Sequence, residues 1–98
     1  MTVHNLKLKD EYVAQVMYGE KTFELRKNDR DFKVGDLIHF TDTNGKDLSY
    51  DNKVGILTTK EYRFEDNLFK ITYILKNVPE YGLDKDYCIF GIKRVYLD

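Results

Sequence analysis

The sequence predicts a mainly β fold, a small β-barrel with one main helix covering one opening, and three observations carry that prediction. Most of the chain falls into short segments where apolar and polar residues alternate with period two, the pattern of strands with one buried face. Asn44-Gly45 lies between two such segments and is the strongest short-range hairpin signal a sequence offers. Helical spacing of apolar residues is found in one stretch, Asp10 to Tyr18, whose apolar side is Tyr12, Val13, Val16 and Met17. With 98 residues, 42% of them hydrophobic, the chain can form one domain, 1–98, with its own core.

Taken in order, Val3 to Leu8 alternates and sends His4, Leu6 and Leu8 to one side. His4 therefore points with the leucines, which fits a core-edge histidine with a backbone partner as well as a site residue. Asp10 is placed to cap the helix, and Gly19 to end it in the left-handed conformation. Thr22 to Arg26 alternates next, with Phe23 and Leu25 on one face and Thr22, Glu24 and Arg26 on the other. If that second face is covered, Glu24 and Arg26 stand in a cleft where they must be paired or used; if it is open, they are solvated.

Asn28 to Asp31 and Val34-Gly35-Asp36 read as turns, with Phe32 and Val34 anchoring the loop between them. Leu37 to Asp42 is the next strand. From Asp47 to Asn67 strand character recurs in Lys53 to Thr59 and in Lys60 to Phe64, with Gly55 as a bulge; an extra hairpin or flap fits here. Leu68 to Leu75 follows, with Ile71, Tyr73 and Leu75 on one side. Lys76 to Asp86, which contains the only proline, Pro79, reads as a surface connection. Tyr87 to Leu97 closes the fold, and its run from Tyr87 to Ile92 is apolar on both faces, which places it centrally with Cys88 as a small buried hydrophobe.

Gly19 to Asp36 holds the densest charge: Lys21, Arg26, Lys27, Arg30 and Lys33 against Glu20, Glu24, Asp29, Asp31 and Asp36, which sums to zero. Gly19-x-Lys21-x-x-Glu24-x-Arg26 resembles the G-x-K-x-x-E-x-R signature of the ASCH domain, a small barrel of the PUA-like superfamily. The resemblance is closer to an uncharacterised ASCH-like family of bacteria and their phages. It rests on His4-Asn5-Leu6-Lys7, the unbroken run Phe23 to Asp36, Ile71 to Leu75, and Gly91-Ile92. It implies a cleft, framed by the helix end and the Lys21 to Arg30 segment, that binds RNA or a nucleotide-like small molecule. Within the wider group, small acetylcytidine amidohydrolases are similar at Gly19, Lys21 and Arg26 but carry a threonine nucleophile where this chain has Glu24. Some ASCH proteins are also ribonucleases.

The residues themselves permit three readings of Lys21, Glu24 and Arg26. As a recognition kit, the cations meet phosphate or carbonyl oxygens, Glu24 accepts from a base or ribose donor, and Lys27 or Arg30 steers from the rim, with His4 a further candidate. As a hydrolase, Glu24 activates water and Lys21 steadies the oxyanion, although the hydroxyl needed for acyl transfer is missing. As an ion-pair network, the three tie the helix end to the barrel. Tyr50, Tyr62, Tyr73, Tyr81 and Tyr87 are candidates to stack on a base.

Composition narrows the partners. Lys and Arg number 16 against 17 Asp and Glu, which argues against gripping duplex DNA by bulk charge. His4, His39 and Cys88 are scattered singly, so no metal site is expected, and no phosphate loop or cofactor motif is present. A lone cysteine and the lack of an export or membrane-spanning pattern point to the cytoplasm.

Overall fold

The computed structural model describes residues 1–52, 58–61 and 67–96. In chain order these form β1 (Val3–Lys7), α1 (Asp10–Met17), β2 (Phe23–Lys27), β3 (Leu37–Thr41), β4 (Ser49–Asn52), β5 (Thr58–Glu61), β6 (Leu68–Val78) and β7 (Leu83–Arg94). Five strands make one curled sheet in the order β1-β3-β6-β7-β2, a half-barrel, and among the described residues β4 and β5 form a separate two-stranded pair. Pairing is antiparallel throughout except between β1 and β3, which run parallel because α1 and β2 intervene. The fold is mainly β with one helix. No described helix is long and apolar enough to cross a membrane.

The inner face of the curl holds the core. Leu6, Ile38, Phe40, Ile71, Cys88 and Phe90 from the strands pack with Val13, Val16 and Met17 of α1, so the helix lies over the inner side. Asp10 is not its cap: Lys9 occupies that position without a side-chain bond, and Asp10 and Glu11 instead place negative charge in the first turn. At the other end Gly19 has φ +77°, and the amides of Glu20 and Lys21 both donate to Gln15 O, which turns the chain into β2. Arg94 of β7 donates to Met17 O at 2.8 Å, setting a cation against the carbonyl end of the helix.

Phe32 is buried between the rings of His4 and Phe90, at centroid distances of 4.7 and 4.9 Å, and so anchors its loop as predicted. Val34 does not anchor it: it is 60% exposed, because the turn at Gly35 is held by its own backbone bond to Ile71 O. The Asn44-Gly45 turn forms, closed by Asp42 N to Lys46 O and bridging Thr41 to Asp47. A further antiparallel pair does follow it, but not at the expected bounds: β4 is Ser49–Asn52 and β5 Thr58–Glu61, so the first strand starts before Lys53 and Lys60 lies inside the second instead of at its start. The proposed bulge at Gly55 and the Tyr62–Phe64 alternation lie outside the described residues. Asn67, fully buried, uses its amide as a short strand, accepting from Phe40 N and donating to Phe40 O.

Two expectations for the last hairpin need correction. Ile71 pairs with Ile92 and Tyr73 with Gly91, so Thr72 is an inserted residue, a bulge that flips everything after it to the other face. Ile71 is therefore buried while Tyr73 and Leu75 point outward. Gly91 is what lets the bulge lie flat, since a Cβ there would come within 2.4 Å of Thr72 Oγ1. The surface connection Lys76 to Asp86 is much shorter than predicted: β6 continues to Val78, Pro79–Tyr81 forms a 3-10 turn, and β7 begins at Leu83. Alternation is weak over those residues because both faces of the projecting hairpin are wet.

The two edge strands of the half-barrel, β1 and β2, share no backbone ladder. Guanidinium groups span the gap: Arg26 Nη2 donates to Lys7 O at 2.8 Å and Arg30 Nη1 to Asn5 O at 3.2 Å. The exposed carbonyls of an edge strand are thus occupied by side chains rather than left to recruit another strand.

Candidate functional site

Glu24 stands opposite Phe90 in the ladder, and because Phe90 is in the core, Glu24 is drawn to the inner face with it. Its neighbours Phe23 and Leu25 consequently face outward, 50% and 56% exposed. The charged face of β2 is therefore the covered one. Glu24 itself is only 3% exposed, a placement that water cannot support and that cations must.

Both of its oxygens are engaged. Lys21 Nζ donates to Oε1 at 2.5 Å, and Arg26 Nε donates to Oε2 at 2.9 Å. Lys21 also donates to Phe23 O at 3.0 Å and lies over the rings of Tyr12 and Phe23, 5.1 and 5.2 Å from their centroids. Residues Lys21, Glu24 and Arg26 thus form one bonded row, as the network reading expects. Beside that row a cleft of about 480 Å³ remains open, lined also by Lys7, Lys9, Tyr12 and Phe23. A third Lys21 proton and Arg26 Nη1 have no partner among the described residues, so the row keeps donors to offer.

Charge in this cleft is uneven. Lys7, Lys9, Lys21 and Arg26 line it against one carboxylate, Glu24, in a chain whose overall balance is near zero. On the other side of the Tyr12–Lys21–Phe23 wall a second groove of about 500 Å³ carries Glu11, Gln15 and Glu20. Lys27 and Arg30, predicted as rim cations, line a smaller cavity of about 170 Å³ that shares Arg26 with the main cleft.

The structure does not bring His4 to this row. His4 Nε2 is 2.8 Å from Asp36 Oδ2, both side chains buried, and Asp36 also accepts from the amides of Thr2 and Lys33. Burial by itself raises the Asp36 carboxyl, but the His4 contact and the two amides outweigh it and leave the group below its ordinary value. This pair ties the N-terminus to the Val34-Gly35-Asp36 turn. Burial pushes the Cys88 thiol up, and it lies in the core away from the cleft.

Of the tyrosines proposed to stack, Tyr73 and Tyr81 are exposed away from the cleft and Tyr87 lines a separate groove with Tyr81. The side chain of Tyr50 and all of Tyr62 are outside the described residues. The aromatics that wall the cleft are Tyr12 and Phe23. Tyr12 could have been found from its place about 100° round the helix from Val13, at the margin of the apolar stripe rather than its centre. Lys7 and Lys9 flank the inward Leu8, and only the closeness of β1 to β2 makes them part of the site.

The family described as Domain of unknown function (DUF3850) matches residues 3–92, nearly the whole chain. The chain belongs to the DUF3850 family. No curated protein matches it. In this DUF3850 chain the matched span contains every residue of the bonded row and of the cleft around it.

Proposed function

We propose that the cleft between α1, β1 and β2 binds a nucleotide, free or at the end of a short RNA strand. The observation that carries this is the concentration of four cations against one carboxylate on a cavity of about 480 Å³ with an aromatic wall. That volume falls in the ordinary range for small-molecule sites. Lys7, Lys9 and Arg26 Nη1 take the phosphate; Lys21, fixed between two rings and Glu24, supplies a directed donor; Tyr12 and Phe23 give the base an apolar wall. Glu24 acts chiefly by holding Lys21 and Arg26 in place, and its remaining lone pairs are available to a base amino group or ribose hydroxyl. The resemblance to ASCH domains supports the same assignment, and a cytoplasmic location fits it.

Turnover finds less support, since both oxygens of Glu24 are bound to cations and it is the one carboxylate lining this cleft among the described residues. Titration calorimetry with uridine, UMP and inorganic phosphate tests the proposal. UMP should bind more tightly than uridine, weaken with added salt, and weaken several-fold in Lys7→Ala and Lys9→Ala, whose side chains are exposed and leave the fold intact. Equal affinity for uridine and UMP, or indifference to both substitutions, refutes it. Product formation from acetylcytidine or RNA that is lost in Lys21→Ala would reassign the site to a hydrolase.

A further inference from the structure

We infer that single-stranded RNA leaves the cleft across the outer face of β2, β7 and β6; the inference rests on the nucleotide reading of the cleft. The register aligns that face in rows. Phe23, Gly91 and Tyr73 form one row, and Leu25, Ile89 and Leu75 the next, with Tyr87 opposite Lys27 beyond them. Tyr73 is 67% exposed, and Phe23, Leu25, Leu75 and Tyr87 are exposed as well, so an apolar, partly aromatic surface lies open on three adjacent strands.

Its charge selects the occupant. Lys70 and Lys93 pair at one end of these rows and Lys27 stands at the other, all exposed, and no carboxylate occupies an outward register position between them. Such a face attracts a polyanion with flat apolar groups. A second copy of the chain is disfavoured, because face-to-face pairing in either direction sets lysine against lysine. The Thr72 hydroxyl, pushed out by the bulge and held over Gly91 between Phe23 and Tyr73, puts a hydrogen-bonding group amid the aromatics, which suits a base edge better than a lipid tail. Phe23 and Leu25 also line the cleft, so the two surfaces are continuous.

The experiment measures fluorescence anisotropy of a labelled, 5′-phosphorylated RNA octanucleotide, and calorimetry with UMP, for the wild type and Tyr73→Ala. Tyr73 is well exposed, so the variant folds. The octanucleotide should bind more tightly than UMP, and Tyr73→Ala should weaken it at least about five-fold while leaving UMP unchanged. Octanucleotide binding that ignores Tyr73→Ala overturns the inference, and the cleft reading stands if UMP still binds. Tyr73-dependent octanucleotide binding without UMP binding puts RNA on the face but overturns the cleft reading, and with it the path from cleft to face. Tyr73-dependent sedimentation with phosphatidylserine vesicles, or a Tyr73-dependent dimer in ultracentrifugation, with no octanucleotide binding, overturns the inference and gives the face to a membrane or to self-association.

Discussion

Glu24→Gln is the substitution that most directly tests how the row is held. The Glu24 side chain is 4% exposed and each of its oxygens accepts from a cation. Gln keeps the volume but removes the charge, leaving Lys21 and Arg26 without their counter-ion. Removing one partner of a fully buried pair costs roughly 3–5 kcal/mol. Lys21 and Arg26 keep 18% and 23% of their side-chain exposure, so water partly solvates them once released. Exposed pairs are worth only about 0–1 kcal/mol, which brings the expected loss to about 2 kcal/mol. With a urea slope of about 1–1.5 kcal/mol per molar for a domain this small, the midpoint should fall by about 1.5 M. A fall below about 0.3 M would mean that the row behaves as a surface pair and that its burial has been overestimated. The triple change Lys21→Met, Glu24→Leu, Arg26→Met leaves no charge unpaired but also removes the Arg26 bond to Lys7 O, so it should regain only part of the loss while abolishing nucleotide binding.

Asn67→Ala strips both backbone partners from the buried Phe40 peptide groups and should cost about 2–3 kcal/mol in the same urea measurement, far more than a surface Asn. Stability should fall in two steps on acidification. Burial lowers the His39 pKa, with Asp47 pulling the other way, so the folded protein resists protonating it; this contribution is complete above about pH 6.5 and is lost as pH falls through the folded value. Asp36 is likewise lowered, so its contribution is complete above about pH 4 and disappears as pH falls through its folded value. Urea midpoints across pH should lose the first step in His39→Gln and the second in Asp36→Asn. Cys88, fully buried with its thiol pushed up, should react with a thiol reagent only as fast as the chain opens; prompt labelling of the native protein would contradict its placement.

Local chemistry made much of the fold readable. The alternating segments that became β1, β2 and β3, the Asn-Gly turn and the glycine that ends α1 all act within a few residues and formed where predicted, whereas the strands expected at Lys53 to Thr59 and Lys60 to Phe64 did not fall at those bounds. Thr72 shows where that logic stops. A single inserted residue leaves the hydrophobic pattern of Ile71 to Leu75 looking regular, yet it moves Tyr73 and Leu75 from the core side to solvent, and the room for the Thr72 hydroxyl is left across the sheet by Gly91. The candidate site divides in the same way. Glu24 and Arg26 were visible through their spacing on one strand and Lys21 through the Gly19-x-Lys21-x-x-Glu24-x-Arg26 pattern just before it, whereas Lys7 and Lys9 join them only because the sheet curls until β1 approaches β2.

That curl explains why one side chain serves two purposes. Arg26 bonds Glu24 through Nε, reaches across the seam to Lys7 O through Nη2, and lines the cleft with Nη1 unengaged among the described residues. A half-barrel with unpaired edges needs a donor to satisfy the carbonyls of β1, and a guanidinium is suited to the task because its fork can bond carboxylate and carbonyl at once and still present a proton outward. Lysine could not hold all three directions in a fixed plane. The charged segment is consequently both the latch of the fold and the floor of its cleft. An anion bound at Nη1 would be read by a group already positioned by the closure of the sheet.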